Sequence, residues 1–304
     1  MIVSRLYGGL GNQMFQYALA KHLAIKNDTN VFFDVELLNN HSSENKYAVF
    51  RNFDLDIFNF KQQFVSKEVS EKFNGKRNLN LLGKIIQKVK FTMNPPKLII
   101  ESGRQFNKEI LNTQNNYALV GAFQSPLYFD DVKDEILKDF SIKLDFIENN
   151  FYESIIYGAE VSVSLHVRRG DYVTNKIYNN LLGVQPVDYY VSSIEVLKNQ
   201  INRELSLFIF SDDINWCKQN LGFLNNVTFV ENTNSKKGFA TDLYLMLKCD
   251  HHIISHSTYS WWGAYLGENK NGITIAPKLW VSEKYINNPK YHPVDIIPKN
   301  WITI

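Results

Sequence analysis

The chain has 304 residues, of which 44% are hydrophobic and 14% aromatic, enough to build buried cores in two domains of ordinary size. The formal net charge is +2 and there is no Lys/Arg-rich tail, which excludes a protein that binds nucleic acid through its overall charge. Its two cysteines, Cys217 and Cys249, cannot form a disulfide framework and fit a reducing compartment. We find no signal peptide and no apolar run long enough to span a bilayer, so we expect a cytoplasmic protein.

The first part of the chain predicts a strand–helix–strand unit and then less regular sequence. A strand at residues 2–7 precedes a glycine-rich turn, a helix is expected from Gln13 to Lys26, and NVFFD at 30–34 predicts the next strand. Residues 118–140 predict a further strand and a helix, in which Ser125 is the N-cap and Pro126 follows at the first helical position.

The glycine-rich turn YGGLGNQ has two interpretations. Gly9-x-Gly11 between a strand and a helix resembles the turn of a dinucleotide-binding fold, and Asp34 lies near the place where an acidic residue would meet a ribose. Met14 occupies the third glycine position, where its side chain would crowd the helix against the strand. The alternative is a tight turn in which glycine supplies only backbone freedom. The turn alone does not decide between them.

A basic stretch follows at residues 61–108. Within 76–97 a helical pattern places apolar side chains on one face and lysines elsewhere, the apolar ones being Leu81, Leu82, Ile85, Ile86 and Val89. One interpretation is a helix in peripheral contact with an anionic membrane surface. The other, which we favour, is a helix packed on the core with solvated lysines, because any surface helix shows such a pattern.

The second half predicts a parallel, doubly wound sheet. Short, β-branched and apolar runs alternate with helical patterns, and the runs lie at 161–167, 205–212, 226–231, 251–256 and 272–277. We place a domain boundary after residue 155, which gives domains 1–155 and 156–304. Ligands of such sheets bind at the carboxyl ends of the strands.

Charged side chains follow the first of these strands in SLHVRRGDY. His166 and Arg168 share one face of the strand, and a guanidinium can bind a phosphate through two parallel hydrogen bonds. The structural alternative is an ion pair between Arg169 and Asp171.

A second strand end, HSTYSWW, offers hydroxyl groups at a helix N-terminus. Ser257 and Thr258 can bind an anion there together with backbone N–H groups, or Ser257 is an ordinary N-cap. We expect Trp261 and Trp262 to lie in the core.

Two metal-site patterns are weak. His252 and His256 lie on a predicted strand, which at ~3.3 Å per residue separates them by about 13 Å, so we discount zinc. Asp54 and Asp56 form a D-x-D pattern that can bind Mn²⁺, but the alternating apolar residues around them predict a strand or turn surface. We therefore expect no metal.

Motifs along nearly the whole chain resemble family 11 of the glycosyltransferases, the bacterial α1,2-fucosyltransferases. They are GGLGNQMFQYALAKHLA, FDLDIF, GAFQSPLYFDD, HVRRGDY, FSDD, TDLYLMLKCDHHIISHSTYSWWGAYL and PKNWI. The resemblance implies an α/β fold of GT-B type with two Rossmann-like domains facing a cleft. It also implies GDP-β-L-fucose as the donor substrate, inversion at the anomeric carbon, and neither a metal nor another cofactor.

A weaker similarity to α1,6- and protein O-fucosyltransferases implies roles for individual residues. Arg168 would hold the β-phosphate, His166 would lie by the nucleoside, Asp242 would bind guanine, and Ser257 and Thr258 would hold the phosphates. His256 stands where many relatives have Asn.

Further donor-binding roles are expected around these residues. Arg169 would support the donor site, and the glycine-rich turn would let backbone approach the diphosphate or fucose through Gly8, Gly9 and Gly11. Asn12 and Gln13 would offer amide hydrogen bonds.

The base and the acceptor are less well indicated. Asp171 is our candidate general base. The neighbouring Arg169 argues against this role, because a positive charge beside the carboxylate would weaken it as a base. The resemblance suggests a galactose-terminated glycan as acceptor. The alternatives are a transferase that uses another nucleotide sugar, and a sugar-nucleotide- or glycan-binding protein without turnover.

Overall fold

The computed structural model describes residues 1–39, 51–73, 97–148, 151–232, 235–267, 269 and 271–304. This part of the chain divides into two compact units, which we call the first unit (Met1–Asp56 and Phe60–Asp139) and the second unit (Ile57–Asn59 and Phe140–Ile304). Each unit contains a parallel sheet with helices, as the alternating pattern predicted for the second half. No helix in the described ranges is long and apolar enough to cross a membrane.

The first unit is built on a four-stranded parallel sheet in the order β2-β1-β4-β3. Its strands are β1 (Ile2–Arg5), β2 (Val31–Asp34), β3 (Lys97–Ile100) and β4 (Tyr117–Val120). Its helices are α1 (Leu10–Lys26), α2 (Glu36–Asn39), α3 (Lys67–Phe73) and α4 (Lys133–Asp139). Because β2 and β4 flank β1 on opposite sides, the strand order reverses between β1 and β4. The carboxyl ends of these two strands therefore form the switch point where such sheets bind ligands.

Helix α1 starts at Leu10, three residues before the predicted start at Gln13. Gly9 is its N-cap, and the backbone N–H groups of Asn12 and Gln13 already donate to the Gly9 carbonyl, at 3.0 and 3.1 Å. The last four of the seven residues of the glycine-rich turn thus belong to the helix.

The dinucleotide interpretation of this turn is not supported by the surrounding residues. Met14 is fully buried, so a core side chain fills the position that the motif gives to glycine. Asp34 forms a buried ion pair with Arg5 (Nε–Oδ2, 2.8 Å) and accepts a hydrogen bond from the Ser70 hydroxyl at 2.9 Å. The Asp34 carboxylate, which the dinucleotide interpretation placed near a ribose, instead binds two side chains of its own unit.

The second unit is built on a six-stranded parallel sheet in the order β10-β9-β8-β5-β6-β7. Its strands are β5 (Ser162–Val167), β6 (Ser206–Ser211), β7 (Val227–Phe229), β8 (His251–Ile253), β9 (Thr274–Ala276) and β10 (Ile302–Thr303). Its helices are α5 (Tyr152–Gly158), α6 (Gly170–Thr174), α7 (Lys176–Leu181), α8 (Val187–Ile201), α9 (Ile214–Leu221), α10 (Lys236–Lys248) and α11 (Thr258–Tyr265). The chain adds β6 and β7 on one side of β5 and β8 on the other, so its switch point lies between β5 and β8.

Strand β5 is buried along its whole length, as expected for the central strand of a parallel sheet. Trp261 and Trp262 on α11 are fully buried, and the Trp261 indole donates to the Ile296 carbonyl at 2.8 Å. The prediction that both tryptophans belong to the core is confirmed.

The boundary predicted after residue 155 falls within helix α5. The Tyr152 hydroxyl donates to the Phe229 carbonyl at the end of β7, at 3.3 Å, which ties this helix to the second unit. The contacts accordingly divide the chain earlier, between Asp139 and Phe140.

The N-cap predicted at Ser125 is present. Its hydroxyl accepts from the Leu127 N–H at 3.3 Å, but the turn that follows is a 3-10 helix, Pro126–Tyr128, and the α-helix begins only at Lys133. The amphipathic helix predicted within 76–97, with both of its interpretations, lies outside the described residues except for Lys97, which opens β3.

Candidate functional site

Polar side chains of the second unit gather where its central strands end. The carboxyl ends of parallel strands meet at one edge of the sheet, so residues distant in sequence become neighbours there. They are Arg168, Arg169 and Asp171 after β5, Asp212 and Asp213 after β6, Asn232 after β7, and Ser255, His256 and Ser257 after β8.

Arg168 is held between two carboxylates. Its Nη2 lies 2.6 Å from Asp171 Oδ1 and its Nη1 lies 2.9 Å from Asp212 Oδ2, while its Cζ lies 5.3 Å from the ring centre of Tyr172. Burial lowers the pKa of Arg168, but the nearby carboxylates outweigh this and raise it overall. The guanidinium is therefore a fixed cation at the switch point. Since it has five N–H donors, it retains capacity for a further anion.

Arg169 does not pair with Asp171, contrary to the alternative drawn from the sequence. Its Nε lies 3.1 Å from Asp213 Oδ2, and its guanidinium stacks on the Trp216 ring at 4.1 Å. Its backbone N–H donates to Asp212 Oδ1 at 2.9 Å. The two guanidinium groups thus bind different carboxylates, that of Arg168 the side chains of Asp171 and Asp212 and that of Arg169 the side chain of Asp213.

Asp171 lies in the short helix α6 and faces Arg168 rather than open space. A carboxylate in an ion pair is well placed to orient the guanidinium. Its role as a general base stays a prediction.

Gly170 is required by a close approach. A Cβ atom at this position would collide with the Asp212 carboxylate. The residue between Arg169 and Asp171 must therefore be small for Asp212 to bond to both arginines.

His166, near the end of β5, contacts Ser255, which follows β8, and so connects the two strands at the switch point. Its Nδ1 lies 3.1 Å from the Ser255 hydroxyl, and its ring centre lies 5.6 Å from that of Tyr259. Burial lowers the pKa of His166 to about 3, and the Arg168 charge acts in the same direction. The imidazole is neutral at physiological pH and can serve a nucleoside by packing and hydrogen bonding, not by charge.

Ser257 and Thr258 form the N-terminus of helix α11. Ser257 is the N-cap residue, but its side chain makes no capping hydrogen bond. The hydroxyl and the first backbone N–H groups of the helix, at the positive end of its dipole, therefore remain suited to an anion.

His256 has a structural role. Its Nδ1 accepts from Gln185 Nε2 at 2.8 Å, so its Nε2 carries the proton and donates to the Gly183 carbonyl at 3.2 Å. Burial lowers its pKa to about 4, assisted by the charge of Arg168. The neutral ring ties the loop after α7 to the edge of the sheet.

Asp242 on helix α10 is an acid whose charge is costly to bury. Its pKa is raised to about 7, mainly by burial and also by the charge of Glu148, although the hydrogen bond from Asn232 Nδ2 at 2.6 Å opposes both. The pKa of the Tyr259 phenol is affected by both Asp242 and Arg168. Asp242 and Arg168 are therefore both close enough to Tyr259 to act on it electrostatically.

In the first unit, the Gln13 side chain stabilises the glycine-rich turn through hydrogen bonds to neighbouring backbone. It is fully buried, its Nε2 donates to the carbonyls of Gly8 (2.9 Å) and Asn52 (2.8 Å), and its Oε1 accepts from the Asp54 N–H at 3.0 Å. Both amide hydrogens are used within the unit, so this arrangement does not favour the predicted donation to a ligand.

The other residues of the turn differ from Gln13. Gly8 has a φ of 78° and Gly9 precedes the helix in an extended conformation, while Gly11 is buried within α1. Asn12 is half-buried, and its Oδ1 accepts from Gln124 Nε2 at 2.9 Å.

The predicted metal patterns have other partners or other geometry. Asp54 and Asp56 flank the buried Leu55 at a 3-10 turn, so a turn is present as predicted, but both aspartates are half-buried and do not form an open surface. His252 Nδ1 lies 2.7 Å from the Ser164 hydroxyl. Within the ranges that the structure describes, no group of three His, Cys, Asp or Glu side chains is arranged to hold a metal ion.

Several polar residues near the carboxyl ends of the strands in the two sheets were not predicted as site residues from the sequence. Asp212 and Asp213 belong to the FSDD motif at the end of the strand predicted at 205–212, so the strand-end rule applied to Arg168 could have found them. Gln124 and Tyr259 lie within the motifs quoted above and Asn232 lies in a loop, but no spacing or charge pattern indicates what their side chains do.

Comparison with known proteins places the chain among glycosyltransferases. The model of the family described as "Glycosyl transferase family 11" matches residues 1–304. Two Escherichia coli proteins are each 33% identical: "Alpha-1,2-colitosyltransferase", over 100% of this chain and 99% of its own length, and "O-antigen biosynthesis glycosyltransferase WbnK", over 91% and 94%.

Among solved structures, a mutant of Arabidopsis thaliana FUT1 in complex with GDP is similar with a TM-score of 0.52 and 12% identity, covering 90% of this chain and 69% of that one. Together with the two parallel sheets, this confirms the predicted fold class, α/β of GT-B type with two Rossmann-like domains.

Proposed function

Since the chain belongs to glycosyl transferase family 11, we propose that it transfers L-fucose from GDP-β-L-fucose to the 2-hydroxyl of a terminal β-galactose. Transfer would proceed with inversion and without a metal. The acceptor would be an oligosaccharide or a surface glycan, in keeping with the O-antigen glycosyltransferase among its relatives. The family membership that the motifs indicated is confirmed, and the donor, linkage and acceptor are the proposal.

The observation that supports this function is the fixed position of Arg168 at the switch point of the second sheet. As the acceptor oxygen attacks the anomeric carbon, the bond from that carbon to the β-phosphate oxygen breaks and GDP takes the electron pair. A cation already held in place stabilises this developing charge without reorganisation. The acceptor proton passes to a general base.

The diphosphate needs more than the two arginines. Arg168 and Arg169 face three carboxylates, those of Asp171, Asp212 and Asp213, so the formal charge of this cluster is negative. The helix α11 N-terminus, with its N–H groups and hydroxyls, supplies the additional attraction.

Asp242 would recognise guanine. An ionised carboxylate can accept hydrogen bonds from two adjacent N–H groups on one edge of guanine, an edge that uracil lacks. The Asn232 amide, 2.6 Å from one Asp242 oxygen, would orient the carboxylate for this contact.

A second candidate function is colitosyl transfer, which the 33% identical colitosyltransferase favours. Colitose is a 3,6-dideoxyhexose that lacks one hydroxyl of fucose. The same phosphate and guanine contacts would serve either sugar.

The test is a transfer assay with lactose and either GDP-L-fucose or GDP-L-colitose, in buffer with EDTA, with product linkage determined by NMR. We expect an α1,2-linked fucosyl product in EDTA, formed far more slowly by Arg168→Ala than by the wild type. Turnover of GDP-colitose alone would establish the second candidate. Loss of activity in EDTA with rescue by Mn²⁺ would overturn metal independence, and nucleotide-sugar binding without turnover would indicate a binding protein.

A further inference from the structure

A carboxylate fixes the loop at the switch point of the first sheet. Glu101 directly follows β3, and its two oxygens accept from consecutive backbone N–H groups of the next strand's loop, those of Ala122 (Oε2, 2.7 Å) and Phe123 (Oε1, 3.0 Å). A Cβ atom at Gly121 would collide with the Glu101 side chain, so the loop can approach this closely only because residue 121 is glycine.

The loop held by Glu101 is in an unusual conformation. Phe123 has a φ of 50°, in the left-handed region that a bulky side chain rarely adopts. Its ring is buried and packs edge-on against Tyr128, with the centroids 5.8 Å apart. The two bonds to Glu101 and this packing keep the backbone there, and the reversal directs the next residue, Gln124, toward the glycine-rich turn.

Gln124 in turn sets the orientation of Asn12. Its Nε2 donates to Asn12 Oδ1 at 2.9 Å, while Asn12 Nδ2 lies over Gly8, where a Cβ atom would approach it to 2.5 Å. With its oxygen bonded to Gln124, the Asn12 carboxamide presents its N–H₂ group at the carboxyl end of β1. A freely rotating amide would present either end.

We propose that Glu101 and Gln124 are positioning residues that hold the Asn12 carboxamide as a hydrogen-bond donor to an oxygen of the bound nucleotide sugar. This rests on the proposed function, because the ligand is the donor substrate of that reaction. The oxygen belongs either to the diphosphate or to the transferred sugar. Titration with GDP and with the nucleotide sugar separates the two, since GDP lacks the sugar.

The test is a double-mutant cycle on Asn12→Ala and Gln124→Met, with kcat, KM and the dissociation constants of GDP and GDP-fucose measured for each protein. Gln124→Met removes the orienting bond at nearly constant volume. We expect it to lower kcat/KM about 2- to 10-fold, the range for one neutral hydrogen bond. In the Asn12→Ala background the same substitution should have no further effect, because there is no amide left to orient. Glu101→Gln should behave in the same way.

Matched controls separate positioning from general stability. Like Gln124, Gln62 in the same unit donates one side-chain hydrogen bond, but its acceptor is the Leu55 backbone carbonyl at 2.9 Å. Gln62→Met therefore removes a comparable bond without affecting Asn12 and should leave kcat/KM unchanged. Gln124→Glu can accept but not donate, so it should turn the amide around and cost more activity than Gln124→Met.

Equal and additive losses in both backgrounds would overturn the inference while leaving the proposed function standing. Retention of activity by Gln124→Glu would show that Asn12 donates to residue 124 and would also overturn it. If the wild type transfers a sugar other than fucose, the proposed donor fails, and the cycle measured with that sugar decides the inference by itself. A wild type that binds no nucleotide sugar overturns both.

Discussion

Arg168 combines two requirements in one side chain, a permanent charge and a planar fork that reaches two carboxylates at 2.6 and 2.9 Å. We predict that Arg168→Ala lowers kcat about 10²- to 10³-fold, the effect of removing one preorganised donor to a developing charge. Arg168→Lys should not rescue activity, because an ammonium cannot bond to Asp171, Asp212 and a phosphate in the same geometry. Steady-state kinetics test this, with Arg203→Ala, an exposed ion-pair residue of the same unit, as the control. Near-normal turnover of Arg168→Ala would contradict the phosphate role.

Asp242 predicts a pH dependence of GDP binding. Burial raises its folded-state pKa to about 7, so the carboxylate is ionised above that pH and protonated below it. If the ionised form binds guanine, affinity is constant above pH 7 and weakens about tenfold for each pH unit well below it, because a proton must first be released. Calorimetric titration from pH 5.5 to 8.5 measures this. Asp242→Asn should bind weakly with a flat profile, and a flat wild-type profile would argue against this contact.

Helix α8 offers a matched pair of tyrosines for measuring the value of one buried hydrogen bond. The Tyr189 hydroxyl donates to the Ile254 carbonyl at 2.6 Å, whereas the buried Tyr190 hydroxyl has no hydrogen-bond partner within the described residues. Tyr190→Phe should leave the free energy of unfolding unchanged or raise it by about 1 kcal/mol, because no bond is lost. Tyr189→Phe should lower it by roughly 1–3 kcal/mol, because a buried carbonyl loses its donor. Denaturant unfolding of both variants decides, and the reverse order would show that Tyr190 has a partner.

The junction of β5 and α6 tests whether the Asp212 contacts matter for catalysis. Gly170→Ala should push the Asp212 carboxylate away from Arg168 and lower kcat/KM while the protein still folds. Gly158 is the control, because nothing lies within 4 Å of a Cβ built there and alanine is favourable in a helix. Kinetics and circular dichroism of both variants give the answer, and full activity of Gly170→Ala would mean that Asp212 does not need its observed position.

Most elements of the second unit were predictable because its inner strands β5, β6 and β9 are short and largely buried. The runs predicted at 161–167 and 205–212 contain the observed strands β5 and β6, whereas the strand expected at 251–256 ends at Ile253. There the chain leaves the sheet so that Ser255 and His256 can bond to His166 and to the loop after α7. Such bonds depend on tertiary contacts, which no local pattern encodes.

At the scale of the whole molecule, the fold class followed from the alternation of strands and helices and from motifs that span the chain. The position of the boundary between the two units did not follow from the sequence. Helix α5 is attached to the second unit by long-range hydrogen bonds, such as that from the Tyr152 hydroxyl to the Phe229 carbonyl. The pairing of Arg168 rather than Arg169 with Asp171 was missed for the same reason. Asp212 and Asp213 follow another strand, β6, and their ion pairs with Arg168 and Arg169 determine where the two guanidinium groups lie.

The most direct measurement of the central claim, that the carboxyl edge of the second sheet binds GDP, is the thermal stability of the whole chain in GDP, UDP and NAD. A ligand that binds only the folded state adds about 2.7 kcal/mol at a hundredfold excess over its Kd, so Tm should rise with GDP concentration. We predict that GDP raises Tm, that UDP and NAD do not, and that the response is lost in Asp242→Asn and Arg168→Ala. Stabilisation by NAD without stabilisation by GDP would contradict the account and return the glycine-rich turn to a dinucleotide-binding role.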